Sequence, residues 1–105
     1  MSLKSPKRKG DRLERLTAHT LREAGYPAER VPLSGACDWL PGDVTATLPG
    51  LGEVCLECKA RKDFKTLYKW LERRDGLILK GDRKEPLVVL RLVDLVRALQ
   101  SEAAA

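Results

Sequence analysis

The sequence has 105 residues, of which 43% are hydrophobic and 33% are charged. These values are typical of one folded domain with a single core, and they exclude an intrinsically disordered chain. Lysine and arginine outnumber aspartate and glutamate by 20 to 15, which gives a net charge of +5. A small basic domain favours an anionic partner, most simply nucleic acid, although solubility alone would explain the same excess.

Membrane insertion and disulfide chemistry are both disfavoured by the sequence. No apolar run reaches the roughly 18 residues that a membrane span needs, and the basic N-terminal stretch lacks the apolar segment of a secretory signal. Three cysteines without a secretory context indicate reduced thiols and a cytoplasmic protein. Cys55 and Cys58 form a C-x-x-C pair, but no second Cys or His pair follows, and alternation along a strand would send them to opposite faces. Zinc or redox use of this pair is therefore the less favoured interpretation.

The N-terminal part of the chain predicts an arm followed by a helix. Residues 1–9 are interpreted as a flexible basic arm, which either lies along phosphates or serves only as a solubilising tail. Asp11 is the predicted N-cap of the helix and Gly25 its stop. Glu14 lies at the edge of the helix's apolar stripe, where a carboxylate either faces a sheet or is an ordinary solvated residue of the first turn.

The middle of the chain predicts strands. Residues 29–33 are interpreted as a short extended segment, and the small-residue loop that follows would let Ser34 approach a phosphate closely. A strand opens at Asp43 and a second strand covers residues 53–60. Because strand side chains alternate, the apolar residues of the second strand face a core while Glu57 and Lys59 share the other side.

The C-terminal part predicts a helix, two strands and a final helix. The first of these helices would be capped by Asp63 and would bury four residues, Phe64, Leu67, Tyr68 and Leu71. The strands are predicted over residues 77–80 and 87–91, and the last helix over 92–100 with a tail at 101–105. The order of elements predicts an α/β fold with a mixed central β-sheet flanked by helices, as a single domain over residues 10–100.

An acid that opens one strand and a Glu-x-Lys pair on the next can bring Asp43, Glu57 and Lys59 to one point. Two carboxylates 4 Å apart repel by about 4 kcal/mol at an effective dielectric near 20, so such a pair favours a cation between them. Mg²⁺ takes oxygen ligands and binds few carboxylates beside water and phosphate. The pattern indicates a metal-dependent nuclease in which Lys59 does electrostatic work. The alternative is an ordinary surface ion pair between Glu57 and Lys59.

These residues resemble a known superfamily. Pro41-Gly42-Asp43 and Glu57-Cys58-Lys59 are similar to the motif of the PD-(D/E)xK nucleases. The chain more closely resembles the archaeal-type Holliday junction resolvases, which also occur in phages, in residues 9–14, residues 31–35, the Asp43 strand and residues 56–62. Gly42 is a departure, since the family commonly has proline directly before the aspartate.

The resemblance implies a restriction-endonuclease-like core and a homodimer that makes paired, symmetric nicks in four-way DNA junctions with Mg²⁺, or with Mn²⁺ in its place. It implies metal-site acids at Glu14, Asp43 and Glu57, a catalytic lysine at Lys59, and Ser34 near the scissile phosphate. It also places the chain in a prokaryotic or phage-infected cell. The residues expected to contact DNA are Lys7, Arg8, Lys9, Arg12, Ser34, Arg61, Lys62, Lys65 and Lys69.

Two other functions stay open. The first is a nuclease of the same superfamily that acts on duplex, flapped or damaged DNA. The second is a non-catalytic basic module that binds nucleic acid. Phe64 and Tyr68 are expected in the core or a dimer interface rather than on bases, and Trp39 and Trp70 are candidates for such an interface.

Overall fold

The computed structural model describes residues 6–31 and 43–104, with side chains described over 10–31 and 43–101. The elements in chain order are α1 (Pro6–Glu23), β1 (Ala28–Arg30), β2 (Val44–Leu48), β3 (Gly52–Leu56), α2 (Lys65–Leu71), β4 (Leu77–Leu79), β5 (Leu87–Val89) and α3 (Leu92–Ala104).

The strands form two sheets. One is three-stranded in the order β1-β2-β3, and the other is two-stranded, β4-β5. All three strand pairings among the described residues are antiparallel. The combination of helices and strands confirms the α/β class. The predicted single mixed sheet is wrong for these residues, which form two antiparallel sheets. The restriction-endonuclease-like core stays a prediction. The chain divides into two compact units, Met1–Arg61 and Lys62–Ala105.

The first unit packs α1 against the three-stranded sheet. Its buried apolar side chains come from one stripe of the helix and one face of the strands, and they are Ala18, Leu21, Ala28, Val31, Val44, Ala46 and Leu48. Strand β2 alternates between buried and more exposed positions along its length, as expected for a sheet with one covered face. The sheet is thus fixed against α1 by hydrophobic burial.

The ends of α1 show which local signals determine where a helix begins and ends. The helix begins at Pro6, inside the predicted basic arm, because proline is well suited to the first helical position. The prediction of Asp11 as N-cap is wrong, since this residue lies within the helix. The predicted stop at Gly25 is confirmed: its φ is 98°, and the Tyr26 N–H donates to the Leu21 carbonyl at 3.0 Å.

Strand β3 ends at Leu56, four residues before the predicted end at residue 60. Its last residue pairs with Val44, the first residue of β2. Beyond that point the Cys58 N–H donates to the carboxylate of Asp43 at 2.8 Å instead of to a strand backbone. The predicted alternation is confirmed, because Val54, Leu56 and Cys58 are less exposed than the residues between them.

The second unit contains α2, the β4–β5 pair and α3. Its buried side chains are Leu71, Val96 and Leu99. Helix α2 has Phe64 at its N-cap without a side-chain hydrogen bond, so the prediction of Asp63 as cap is wrong. The Arg91 guanidinium donates to the Leu71 carbonyl at 3.0 Å and thereby closes the last turn of this helix.

The predicted placement of Phe64 and Tyr68 in the core is wrong, since both are exposed in the single chain, whereas their placement in a dimer interface stays a prediction. Leu67 and Leu71 lie one turn apart and occupy the inward side of a helix of only seven residues. Tyr68 lies about 100° around the helix axis from Leu67 and therefore flanks this inward side. Within the described ranges, no helix is both long and apolar enough to cross a membrane.

Candidate active site

Asp43 is fixed between the two neighbours of β2. Its carbonyl accepts from the Val31 N–H at 2.9 Å, and its own N–H donates to the Leu56 carbonyl at 2.7 Å. Its carboxylate oxygen Oδ2 accepts from the Cys58 N–H at 2.8 Å. The acid that opens β2 is thereby held at the end of β3, where the chain leaves the sheet.

Glu57 and Lys59 lie just beyond β3 and share one side, as the strand alternation predicts. Lys59 Nζ is 3.3 Å from Glu57 Oε2, and the two side chains are 59% and 54% exposed. An ion pair this exposed contributes at most about 1 kcal/mol to stability. The ammonium group is therefore only weakly held by this pair.

Glu14 reaches the sheet from α1, and its partner there is Arg30 of β1. Glu14 Oε1 accepts from Arg30 Nε at 3.1 Å, and the Glu14 side chain is only 17% exposed. Arg30 Nη2 also lies 3.2 Å from Asp11 Oδ1. The sequence reasoning missed Arg30, although two acids three residues apart on one helix face are a signal that a cation is needed nearby.

Cys58 contacts both Asp43 and helix α1: its N–H donates to the Asp43 carboxylate, and its Sγ lies 3.7 Å from the Thr17 hydroxyl. Burial raises the pKa of its thiol above the ordinary value, while a hydrogen bond from Sγ to the Thr17 hydroxyl at 3.7 Å lowers it. The negative charges of Asp43, Glu14 and Glu57 each raise the pKa of the same thiol further. All three carboxylates therefore disfavour the thiolate form of this half-buried thiol.

The structure does not bring these acids into a closed cage. Over residues 6–31 and 43–104, no group of three His, Cys, Asp or Glu side chains is near enough to hold a metal ion. Mg²⁺, however, is usually bound through one or two carboxylates, with water and substrate phosphate completing its shell. Asp43 uses only Oδ2 for the Cys58 N–H, and Glu57 uses Oε2 for Lys59, so each carboxylate keeps an oxygen for such an ion. This donor set fits a hard divalent cation.

The other predicted site residues are placed only in part. Ser34 and the side chains of Lys7, Arg8 and Lys9 lie outside the described residues. In the first unit Arg12 and Arg61 are exposed, and Arg61 Nη1 donates to the Ala60 carbonyl at 2.9 Å. In the second unit the predicted DNA contacts are also exposed, and they are Lys62, Lys65 and Lys69.

These observations define an α/β protein with a carboxylate–lysine site at one end of a three-stranded antiparallel sheet. A family model described as archaeal Holliday junction resolvase (Hjc) matches residues 5–91, which is most of the chain and includes all four residues of the site. The chain therefore belongs to the archaeal Holliday junction resolvase family, whose members are nucleases that act on branched DNA. No curated protein and no solved structure matches it.

Proposed function

We propose that this chain is a structure-specific endonuclease that makes paired, symmetric nicks in four-way DNA junctions by Mg²⁺-dependent phosphodiester hydrolysis. The observation that carries this proposal is the geometry at the end of β3: the Asp43 carboxylate accepts from the Cys58 N–H, and Lys59 lies beside Glu57. A strand end that carries two carboxylates and one exposed ammonium suits a metal ion and a phosphodiester together.

Asp43 and Glu57 would hold the metal, with Glu14 as the third acid and Mn²⁺ as a possible substitute. When bound, the ion supplies polarisation of the phosphoryl oxygen and lowers the pKa of a bound water. The contribution of Asp43 is rigidity, because three hydrogen bonds fix its backbone and carboxylate between neighbouring segments. A preorganised metal ligand stabilises charge more than a mobile one does, because it does not have to reorganise.

Lys59 is proposed as the catalytic lysine through its charge. Its ammonium leaves the exposed pair with Glu57 and contacts a non-bridging oxygen of the scissile phosphate, where negative charge grows during attack. A positive charge at that oxygen would stabilise the transition state. We assign Ser34 a position near the same phosphate.

Arg30 is proposed as a positioning residue. It holds Glu14 by contacts from Nε and Nη2, both 3.1 Å from Oε1. Its charge also offsets the repulsion that Glu14 would feel from the other two carboxylates. The side chain of Glu14 is thus kept pointing at the sheet.

We propose a homodimer as the active form. A four-way junction has two-fold symmetry, and paired nicks require two copies of the site held by a two-fold symmetric protein. Sedimentation equilibrium over a range of protein concentrations tests this directly. A protein that stays monomeric on the junction would contradict the paired-nick mechanism.

The absence of a three-ligand group within the described residues favours one competing function, a basic module that binds DNA without cutting it. A synthetic four-way junction, incubated with Mg²⁺ beside a linear duplex of the same sequence, separates the possibilities. Symmetric nicking of the junction alone is the expected result. Equal cutting of the duplex supports a general nuclease, and binding without cutting under any divalent metal supports the binding module.

A further inference from the structure

The segment that carries Glu57 and Lys59 lies beyond the hydrogen-bond ladder of the sheet. Strand β3 ends at Leu56, and the ion pair between Glu57 and Lys59 joins these two exposed side chains only to each other. An exposed pair of this kind adds little rigidity, because water competes for both charges. Within the described ranges, the hydrogen bonds that join this segment to the rest of the fold come from the residue between them, Cys58.

Cys58 is held from two directions. Its backbone N–H donates to Asp43 Oδ2 at 2.8 Å. Its side chain is less exposed than those of its two chain neighbours, and its thiol donates to the Thr17 hydroxyl of α1 at 3.7 Å. The first contact fixes the segment to the start of β2, and the second fixes it to α1.

Thr17 is a polar residue on the buried side of α1. Its side chain is 8% exposed, and it shares this side with Ala18 and Leu21, which are also buried. Its hydroxyl donates to the Leu13 carbonyl at 2.8 Å, which leaves its lone pairs to accept from the Cys58 thiol. Valine would fill the same space, and a hydroxyl inside a helix brings little benefit to the helix itself. Packing alone therefore does not account for a threonine at this position.

The same helix carries one of the acids of the site. Thr17 lies three residues after Glu14, so the two side chains are neighbours on one side of α1. The helix thus presents a carboxylate and a hydroxyl, one turn apart, to the sheet. The contact between Thr17 and Cys58 therefore sets how far the segment 57–59 lies from Glu14.

We propose that the contact between Thr17 and Cys58 is a positioning contact of the nuclease. It holds the Glu57 carboxylate and the Lys59 ammonium in line with the Asp43 carboxylate at the strand end. The inference rests on the proposed function for the chemistry that these groups perform, whereas the positioning itself is a property of the free protein. Thr17 acts through Cys58 and is a positioning residue.

A threonine hydroxyl that bonds the carbonyl four residues earlier is familiar in helices, and this gives the competing explanation. In that case the bond from Thr17 to Leu13 is the whole role of the hydroxyl, and the Cys58 thiol lies beside it without consequence. The two explanations differ in what happens at residues 57–59 when the hydroxyl is removed.

The test removes a hydroxyl at two matched positions of the full chain. Thr17→Val keeps the shape of the side chain, and Thr20→Val makes the same change at a half-buried position outside the contact with Cys58. Hydrogen exchange of the Cys58 amide is measured in EDTA without DNA. Loss of one weak hydrogen bond changes an opening equilibrium by about two- to fivefold. We expect exchange to accelerate by this factor in Thr17→Val and to stay unchanged in Thr20→Val.

Cleavage of a four-way junction with Mg²⁺ under single-turnover conditions is the second readout. We expect Thr17→Val to cut about 10-fold more slowly, the lower end of the loss for residues that orient metal ligands. Its DNA affinity in EDTA should stay within about twofold, since the contact binds no phosphate. Thr17→Ser keeps the hydroxyl and should restore most of the rate. Cys58→Ala should slow cleavage similarly, and combining it with Thr17→Val should add little, because both substitutions remove the same contact.

Unchanged exchange of the Cys58 amide in Thr17→Val would overturn the inference, whether or not the protein cuts DNA. So would a full cleavage rate in this variant, or equal losses in Thr17→Val and Thr20→Val, which would show a general effect of altering α1. Faster exchange confined to Thr17→Val, in a chain that never cuts a junction, would support the contact as the anchor of this segment and contradict the proposed nuclease.

Discussion

At the scale of single residues, the most specific prediction concerns Arg30. Its guanidinium is the link between β1 and the two acids of α1. Arg30→Gln removes the charge that orients Glu14, and we expect the single-turnover cleavage rate to fall by about 10- to 100-fold, as for other residues that orient metal ligands. DNA binding in EDTA should change little.

Two variants control for a general loss of structure. Arg30→Lys keeps the charge and should restore part of the rate. Asp11→Asn leaves the contact between Arg30 and Glu14 and should cut within about threefold of the unmodified chain, an effect of less than 1 kcal/mol. An Arg30→Gln protein that cuts at the full rate would show that Glu14 does not need positioning.

The two described cysteines should differ in reactivity. Cys55 is exposed, whereas Cys58 is half-buried and its thiol pKa is raised, first by burial and then by the three nearby carboxylates. A raised pKa means that less thiolate is present at a given pH, so alkylation of Cys58 is slower at neutral pH and accelerates only as the pH rises into the alkaline range.

Iodoacetamide labelling followed by peptide mass spectrometry, at several pH values and without divalent metal, measures this. We expect Cys55 to be modified first throughout. Equal rates at neutral pH would contradict the burial of Cys58 and the raised pKa of its thiol.

At the scale of elements, the two glycines that flank β4 provide a matched pair. A Cβ at Gly76 would lie 2.7 Å from Leu90 Cδ2 and 3.2 Å from the Val89 carbonyl oxygen. A Cβ at Gly81 would meet only Lys84 at 3.6 Å, an ordinary contact. We expect Gly76→Ala to lower the free energy of unfolding by about 1 kcal/mol, the lower end of overpacking because the end of the Leu90 side chain can move.

Gly81→Ala should leave the stability unchanged or raise it by about 0.4–1 kcal/mol through the unfolded chain. Urea unfolding of the two variants gives both values. A Gly76→Ala protein as stable as the Gly81→Ala protein would contradict the close approach of Gly76 to β5.

Sequence reasoning predicted correctly the features that depend only on neighbouring residues in the chain. The stop at Gly25 depends on one residue that tolerates a positive φ, and the faces of β3 depend only on alternation. The end of β3 was missed because the Asp43 carboxylate, fifteen residues away in the chain, takes the Cys58 N–H. The exposure of Tyr68 was missed because periodicity shows which residues form an apolar stripe on a helix. It does not show how much of that stripe becomes buried when the helix is short.

At the scale of the whole molecule, the approach of Asp43 to Glu57 was predictable, because an acid and a Glu-x-Lys pair on adjacent antiparallel strands can meet at one end of a sheet. The pairing of β2 with β3 places Val44 opposite Leu56 and so brings Asp43 to Glu57. The acid pair on α1 indicates that a cation lies nearby but does not identify it as Arg30, because the contact joins two elements whose packing the sequence pattern does not define. The division into two antiparallel sheets was missed for a similar reason, since strand pairing is non-local.

The basic segment 62–74 should control how DNA affinity responds to salt. Each phosphate neutralised by a lysine contributes about −0.9 to the slope of log affinity against log salt concentration. Lys65→Gln with Lys69→Gln should therefore make the slope for duplex DNA shallower by about 2. Anisotropy titrations between 50 and 200 mM salt are suitable, since affinity changes by orders of magnitude over such a range. A slope unchanged by both substitutions would contradict the assignment of this segment as a phosphate contact.

The most direct test of the proposed site compares two glutamates, Glu57 and Glu53, which carry the same charge and are both exposed but occupy different positions. Glu57 lies beside Lys59 at the end of β3, whereas Glu53 lies near the start of the same strand, opposite Thr47. Each is changed to glutamine, and cleavage of a four-way junction with Mg²⁺ is measured under single-turnover conditions. We predict a loss of at least about 100-fold for Glu57→Gln, equivalent to about 2.7 kcal/mol, and an almost unchanged rate for Glu53→Gln. Equal rates for the two variants would contradict a catalytic site at this end of the sheet.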